Sequence, residues 1–411
     1  MSRPAILFCS QAAHVGGGVE TWLESLDRAL TARGWRVVVA LARGRFHDPD
    51  RYRAHHHHPE TIELDGRSGL REERIGSLLE AFESIEPDIV VPVNLVDALA
   101  AASWAKSRGS PLRIVTCIHS QHDDRLEQIR SFARFVDLAT SVSRRMFALL
   151  QTIIEDPART AHIPTGVPEP ASPSPPRDHL RRLLFAGRLD PGEKRAVDII
   201  QLVRGLSVSA VIVEIAGEGP ARAMLEEQLA AETASGKVVF RGSLTRNELY
   251  TSVYPRADAL ILFSEAEAGP IVAWEAMVHG VVPIVSDFVG REEEGVLRDG
   301  FNAIVFPVGD VATAVRVVLR CTAPGSLTPL SSEAMRIPAE YREPQFARRW
   351  DAVLRRCLEL PAVIGTGRDL PPLVSPGRLA RFGLGGRAMR QIRRMAGRRY
   401  EHAEPGSEWP H

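Results

Sequence analysis

Cysteine is scarce. Cys9, Cys117, Cys321 and Cys357 are the four in 411 residues, too few for a disulfide framework and too far apart for zinc spacing. Net charge is absent too: 51 Lys and Arg balance 51 Asp and Glu, so nothing points to nucleic acid as a partner. No apolar run approaches the ~18 residues of a membrane span, because Asn94, Asp97 and Glu275 interrupt the greasiest stretches. The opening MSRPAILFCSQ turns polar after five apolar residues, short of a secretory leader, so a cytoplasmic location is expected. No pattern calls for a cofactor or a resident metal.

What is present is rhythm. Ala5 to Cys9 reads as a buried strand, and Val19, Leu23, Leu26 and Leu30 then mark one face of a helix stopped by Gly34. Strands are predicted at 36–41, 89–93, 112–117 and 136–139. Residues 168–176, PEPASPSPP, hold five prolines in nine positions and read as a stiff linker. The alternation then restarts, with strands predicted at 183–186, 211–216, 238–240, 259–263 and 283–286. Helices are predicted at 196–204, 221–232, 270–279, 310–320 and 344–360. The pattern predicts an α/β fold: two facing Rossmann-like, doubly wound domains with a ligand cleft between them. Two stacked domains with separate tasks would give the same rhythm. The expected divisions are 1–167, a linker at 168–178, a second domain at 179–330, helices returning to the first domain at 331–372, and a basic tail at 373–411. That tail carries eight arginines against three acids. It reads equally as a disordered segment or as an interfacial helix on anionic lipid, a peripheral membrane contact.

Three segments carry chemistry. In SEAEAGPIVAWEAMVHG (264–280) a strand gives way to an acidic loop, and Gly269-Pro270 open a helix with Pro at its first position. Such a helix start, at the carboxyl end of a parallel strand, is an anion site. Glu267 precedes it and Glu275 lies about 8 Å along it; in so apolar a helix, Glu275 needs partners. In LLFAGRLDPGEK (183–194), Gly187-Arg188 and Lys194 place two cations on a sheet-edge loop, suited to a diphosphate or simply to solvent. VGGGVE (15–20) lets backbone approach a ligand closely or forms a tight turn. It lacks the dinucleotide fingerprint and the acidic residue about 20 positions on.

The lesser features read blandly. His55–His58 is expected to be a floppy polar loop, Asp48-Pro49-Asp50 an ordinary turn, and Glu292–Glu294 a solvated loop or a modifier of the acceptor side.

In their order, these segments resemble the family-four glycosyltransferases, retaining sugar-transfer enzymes of the GT-B fold. The resemblance spans roughly residues 4–320 and rests on EAGPIVAWEAM, GVVPIVSD, RDGFNAIVFPVGD, GRL…K, IAGEGP, GGGVE, TCIH and IPTGVP. It implies that Arg188 and Lys194, beside Gly187, bind the donor diphosphate. It implies that Glu267 and the backbone of Gly269, Pro270 and Ile271 hold the donor sugar, and that Glu275 holds the ribose. Gly17 and Gly18 would approach phosphate and acceptor, and His119 would face the sugar from the other domain. Ala268, Thr165 and Gly290-Arg291 depart from the family pattern. The implied function is transfer of a sugar, with retention and without metal, from a UDP- or GDP-linked donor to a glycan or lipid-linked acceptor in cell-surface polysaccharide synthesis. The alternatives are a nucleotide-sugar epimerase on the same fold or a non-catalytic sugar-nucleotide-binding protein.

Overall fold

The computed structural model describes residues 3–12, 17–44, 47–67, 71–172, 174–370 and 409. The first half forms a seven-stranded sheet in the order β3-β2-β1-β4-β5-β6-β7. Its strands are β1 (Ala5–Ser10), β2 (Arg36–Arg43), β3 (Thr61–Asp65), β4 (Ile89–Val93), β5 (Arg113–Ile118), β6 (Leu138–Ser141) and β7 (Thr160–His162). The second half forms a six-stranded sheet in the order β10-β9-β8-β11-β12-β13. It comprises β8 (Arg182–Ala186), β9 (Ile212–Ala216), β10 (Val238–Gly242), β11 (Ala259–Leu262), β12 (Val282–Ser286) and β13 (Ile304–Phe306). The paired strands run parallel throughout. Helices cover both faces, so the central strands are apolar without alternation; Ile6, Leu7, Phe8 and Cys9 are all fully buried.

Each sheet reverses direction once, between β1 and β4 and between β8 and β11. A crevice opens at such a switch point, outside the carboxyl ends of the strands. The loops leaving β1, β8 and β11 are those that carry Gly17-Gly18, Arg188 with Lys194, and Glu267.

The Glu343–Glu359 helix returns to the first sheet. Phe346, Trp350, Leu354 and Cys357 form its buried stripe and pack with Trp22, Trp35 and Ile6. The Trp35 indole donates to Asp351 Oδ1 at 2.7 Å, and Arg28 pairs with Glu343. Trp409 is also buried on the first lobe, its Nε1 donating to Arg43 O at 3.2 Å. The rest of the basic tail lies outside the described residues, as does Val15-Gly16.

Several local expectations change. Three strands, β3, β7 and β13, have no counterpart in the sequence reading. The helix expected over 221–232 is two, Arg222–Gln228 and Ala230–Ala234, broken where Leu229 leaves helical geometry (φ −113°, ψ 19°). A helix, Thr328–Ala334, occupies part of the stretch after Ala323. Asp48 caps a short helix, Pro49–Arg53, rather than an ordinary turn. Asp50 is paired with Arg43 at 2.8 Å and Arg53 at 3.0 Å. The histidine run is not floppy: His56 and His58 are each 9% exposed. They sit against the Gly18–Thr31 helix, Nδ1 of His56 at 3.2 Å from Glu24 and Nδ1 of His58 at 2.7 Å from Asp27.

Candidate active site

Glu267 sits on the loop leaving β11. Its Oε1 accepts from Lys194 Nζ at 2.6 Å and from Ser264 Oγ at 2.7 Å. Lys194 stands on the loop leaving the neighbouring strand β8, so the switch point itself joins the two. The Glu267 side chain is 10% exposed and Lys194 21%. Glu267 Oε2 makes no hydrogen bond among the described residues, so one carboxylate oxygen is fixed and the other remains open. Arg188 is not drawn into this pair. Its side chain is 42% exposed and lies 3.6 Å from Glu193, free to swing toward an anion. Beside it, Gly187 (φ +143°) abuts Gly217 (φ +150°), where a Cβ would collide with the Gly187 carbonyl; that close approach accounts for the glycine in IAGEGP.

The helix beyond Glu267 runs Ile271–Val278. Pro270 is its N-cap (φ −72°, ψ 85°), not its first residue as the sequence suggested. Having no N–H, Pro270 contributes only a carbonyl, which accepts from Ala273 N at 2.8 Å and Trp274 N at 3.2 Å. Donors for a ligand at this helix start therefore come from Gly269 and from the first helical residues, Ile271 and Val272.

Glu275 is buried, 3% exposed, and both of its oxygens are engaged. Arg246 Nε donates to Oε1 at 2.7 Å, and the Tyr254 hydroxyl donates to Oε2 at 2.9 Å. Burial, aided by the Glu275 carboxylate, raises the Tyr254 pKa well above the ordinary phenol value, so Tyr254 remains a donor. Arg246 Nη1 also reaches across the cleft to Ser25 Oγ at 2.7 Å.

The first lobe supplies the facing wall. Gly17 caps the Gly18–Thr31 helix, and a Cβ on Gly18 would lie 3.4 Å from Ile271 Cδ1, so the two helix starts meet across the cleft. The His119 ring stands 4.3 Å from the Trp22 ring, nearly edge-on. Burial, with help from the Arg125 charge, lowers its pKa to about 3, so it is neutral at physiological pH. Its Nε2 is buried without a partner among the described residues. Gln121, two residues on, donates from Nε2 to Ser143 Oγ at 2.9 Å and across the cleft to Glu267 O at 2.8 Å. A Cβ on Gly290 (φ +99°) would strike this amide, which explains one glycine of the Gly290-Arg291 pair.

Of the acidic run, Glu292 and Glu293 are exposed as expected and Glu294 is not. Glu294 is 8% exposed; it accepts from Arg144 N at 2.9 Å and from the Tyr341 hydroxyl, tying the two lobes near the linker.

Comparison with known sequences matches residues 16–169 to Glycosyltransferase Family 4 and residues 171–323 to Glycosyl transferases group 1. The chain belongs to the group 1, family 4 glycosyltransferases. Its two parallel sheets are the GT-B fold. The chain is similar to the lipopolysaccharide 1,6-galactosyltransferase of Escherichia coli K12, 21% identical over 254 residues, covering 60% of this chain and 69% of that protein. Among solved structures, Anabaena Alr3699/HepE in complex with UDP and glucose superposes with a TM-score of 0.67 at 18% identity, covering 86% of this chain and 100% of that one. Sucrose-phosphate synthase from Thermosynechococcus elongatus gives 0.70 at 19% identity, over 87% and 100%.

Within this glycosyltransferase, the structure brings Lys194 and Glu267 together, sets Gly18 against Ile271, and leaves Arg188 apart. Arg246, Tyr254, Ser264 and Gln121 escaped the sequence reading. Arg246 and Tyr254 lie 29 and 21 residues before Glu275 and belong to no spaced motif. Ser264 and Gln121 had a signal, Ser264 as the first residue of the segment that carries Glu267 and Gln121 as the residue two after His119 in TCIHSQ.

Proposed function

We propose that this glycosyltransferase moves a sugar, with retention of configuration, from a UDP- or GDP-linked donor to a glycan or lipid-linked acceptor in cell-surface polysaccharide synthesis. The observation that carries the reading is the Lys194–Glu267 pair at the sheet's switch point, with one carboxylate oxygen making no hydrogen bond among the described residues. Arg188 and Lys194 flank the diphosphate, Arg as a fork and Lys as a point charge. The open Glu267 oxygen and the Gly269 and Ile271 N–H groups hold the donor sugar. Glu275, keeping its Arg246 and Tyr254 bonds, offers its remaining lone pairs to the ribose; a carboxylate has about four such sites. His119, neutral, accepts from or donates to a sugar hydroxyl, while Gly17 and Gly18 let the acceptor approach.

The bond from the anomeric carbon to the phosphate oxygen breaks, and a bond to the acceptor oxygen forms on the same face. The acceptor proton goes to the departing phosphate. The charge left on the diphosphate is stabilised by Arg188, Lys194 and the Ile271–Val278 helix start, without a divalent ion. The basic tail supports peripheral attachment at the inner face of the membrane, where a lipid-linked acceptor would lie. Among the described residues no helix is long and apolar enough to cross a membrane.

Acceptor-dependent release of UDP or GDP, undiminished by a chelator, is the expected result. Isomerised nucleotide sugar without acceptor would show an epimerase instead, and tight donor binding without turnover a non-catalytic protein.

A further inference from the structure

Half-buried cations in this fold are normally matched. Lys106 and Arg113 share Asp137, Arg71 and Arg74 share Asp97, and Arg246 has Glu275. Two arginines on the first lobe's cleft wall break this pattern. Arg125 stands one turn into the Asp123–Phe132 helix and donates only to the Gln128 side-chain oxygen, at 3.2 Å. Arg145, on the Arg144–Leu150 helix, reaches only Gln121 Oε1 at 3.3 Å and the Met146 sulfur at 3.5 Å. Neither has a carboxylate partner among the described residues. Burial lowers the Arg125 pKa and the Asp124 charge partly offsets it, so a desolvated cation stands without a paired carboxylate among the described residues.

Their position gives this meaning. The Gln121 amide whose oxygen accepts from Arg145 donates from its nitrogen to the Glu267 main-chain carbonyl at 2.8 Å, so Arg145 is one side chain removed from the loop that carries the carboxylate assigned to the donor sugar. Arg125 lies close enough to His119 for its charge to act on that ring. The cations assigned to the donor thus belong to the second lobe, and the two arginines without a carboxylate partner among the described residues belong to the first.

We propose that Arg125 and Arg145 hold an anionic group, a phosphate or a carboxylate, carried by the acceptor. The inference rests on the glycosyltransferase reading of the cleft and narrows its acceptor to charged molecules. Two bonds from guanidinium groups orient the acceptor so that one hydroxyl meets the sugar held at Glu267. The charge could come from a sugar bearing phosphate or from a lipid phosphate.

Calorimetric titration of the full chain, with its donor side saturated by UDP, tests this with inorganic phosphate as the probe. Wild type should bind phosphate, and Arg125→Gln and Arg145→Gln should each weaken it about tenfold with UDP affinity unchanged, which also reports that the variants fold. Glucose 6-phosphate and neutral vesicles carrying a polyprenyl phosphate then distinguish the two sources: binding of either, lost in the double variant, supports the site. Phosphate binding that is absent in wild type, retained in the double variant, or lost instead in Arg188→Gln would overturn it. Failure of wild type to bind any nucleotide would defeat the broader reading separately.

Discussion

Lys194 is held at 2.6 Å by the Glu267 carboxylate, so its charge is already positioned for the proposed donor. In the proposed reaction the arriving diphosphate takes over part of that charge, and the negative charge that develops on departure strengthens the interaction. Lys194→Ala should therefore slow transfer by about ten- to a hundredfold, with a smaller change in donor KM; steady-state kinetics measure the split. Glu275 differs because it also holds the fold together. Glu275→Ala leaves the Arg246 cation and the Tyr254 hydroxyl buried and unmatched, and should cost about 3 kcal/mol in urea unfolding as well as weakening donor binding. A pH signature belongs to this scale too. Burial, assisted by Arg177, lowers the His279 pKa from its ordinary 6.5 to about 4. Between those values the unfolded chain binds a proton that the folded chain does not, so stability falls as pH drops through that window. Both His279 ring nitrogens lack hydrogen-bond partners among the described residues, and the ring stacks on Tyr254 with centroids 5.2 Å apart. His279→Phe should flatten the fall in melting temperature between about pH 6.5 and 4.

Elements show what could be read ahead of the structure. The central strands were legible because burial on both faces makes them continuous apolar runs. Edge strand β3, TIELD, has a single fully buried residue, Leu64, and so carries no such signal; β7 and β13 are three residues long. The Glu267 and Glu275 spacing was visible because one loop and one helix carry both. Their partners come from β8, from the segment after β10 and from the other lobe, distances along the chain that no local pattern spans. His56 and His58 looked like a polar loop because their carboxylate partners, Glu24 and Asp27, sit on a helix some 30 residues earlier (32 and 31 positions). The Glu343–Glu359 helix was readable as a helix, while its docking on the first sheet depends on a tryptophan cluster that only the fold assembles. Trp350, fully buried with its ring 5.6 Å from that of Trp22, should cost about 3–5 kcal/mol when replaced by alanine, read from the denaturant midpoint.

At the scale of the whole molecule, both glutamates are tied to the opposite lobe: Glu267 through Gln121, and Glu275 through Arg246 and Ser25. In the proposed reaction, bringing the lobes together would therefore set both glutamates at once and exclude water from the sugar about to lose its phosphate. Gly290→Ala obstructs the Gln121 amide. It should raise hydrolysis of donor relative to transfer, measured as free sugar released per product formed. In the proposed reaction, fixed positive charge on the second lobe receives the pyrophosphate. A crystal structure of the full chain with UDP or GDP bound is the decisive test. The diphosphate should lie between the Arg188 guanidinium and Lys194 Nζ, against the Gly269–Ile271 backbone, with the ribose at Glu275. A nucleotide bound elsewhere in the molecule, or with its phosphates turned away from both cations, would contradict it.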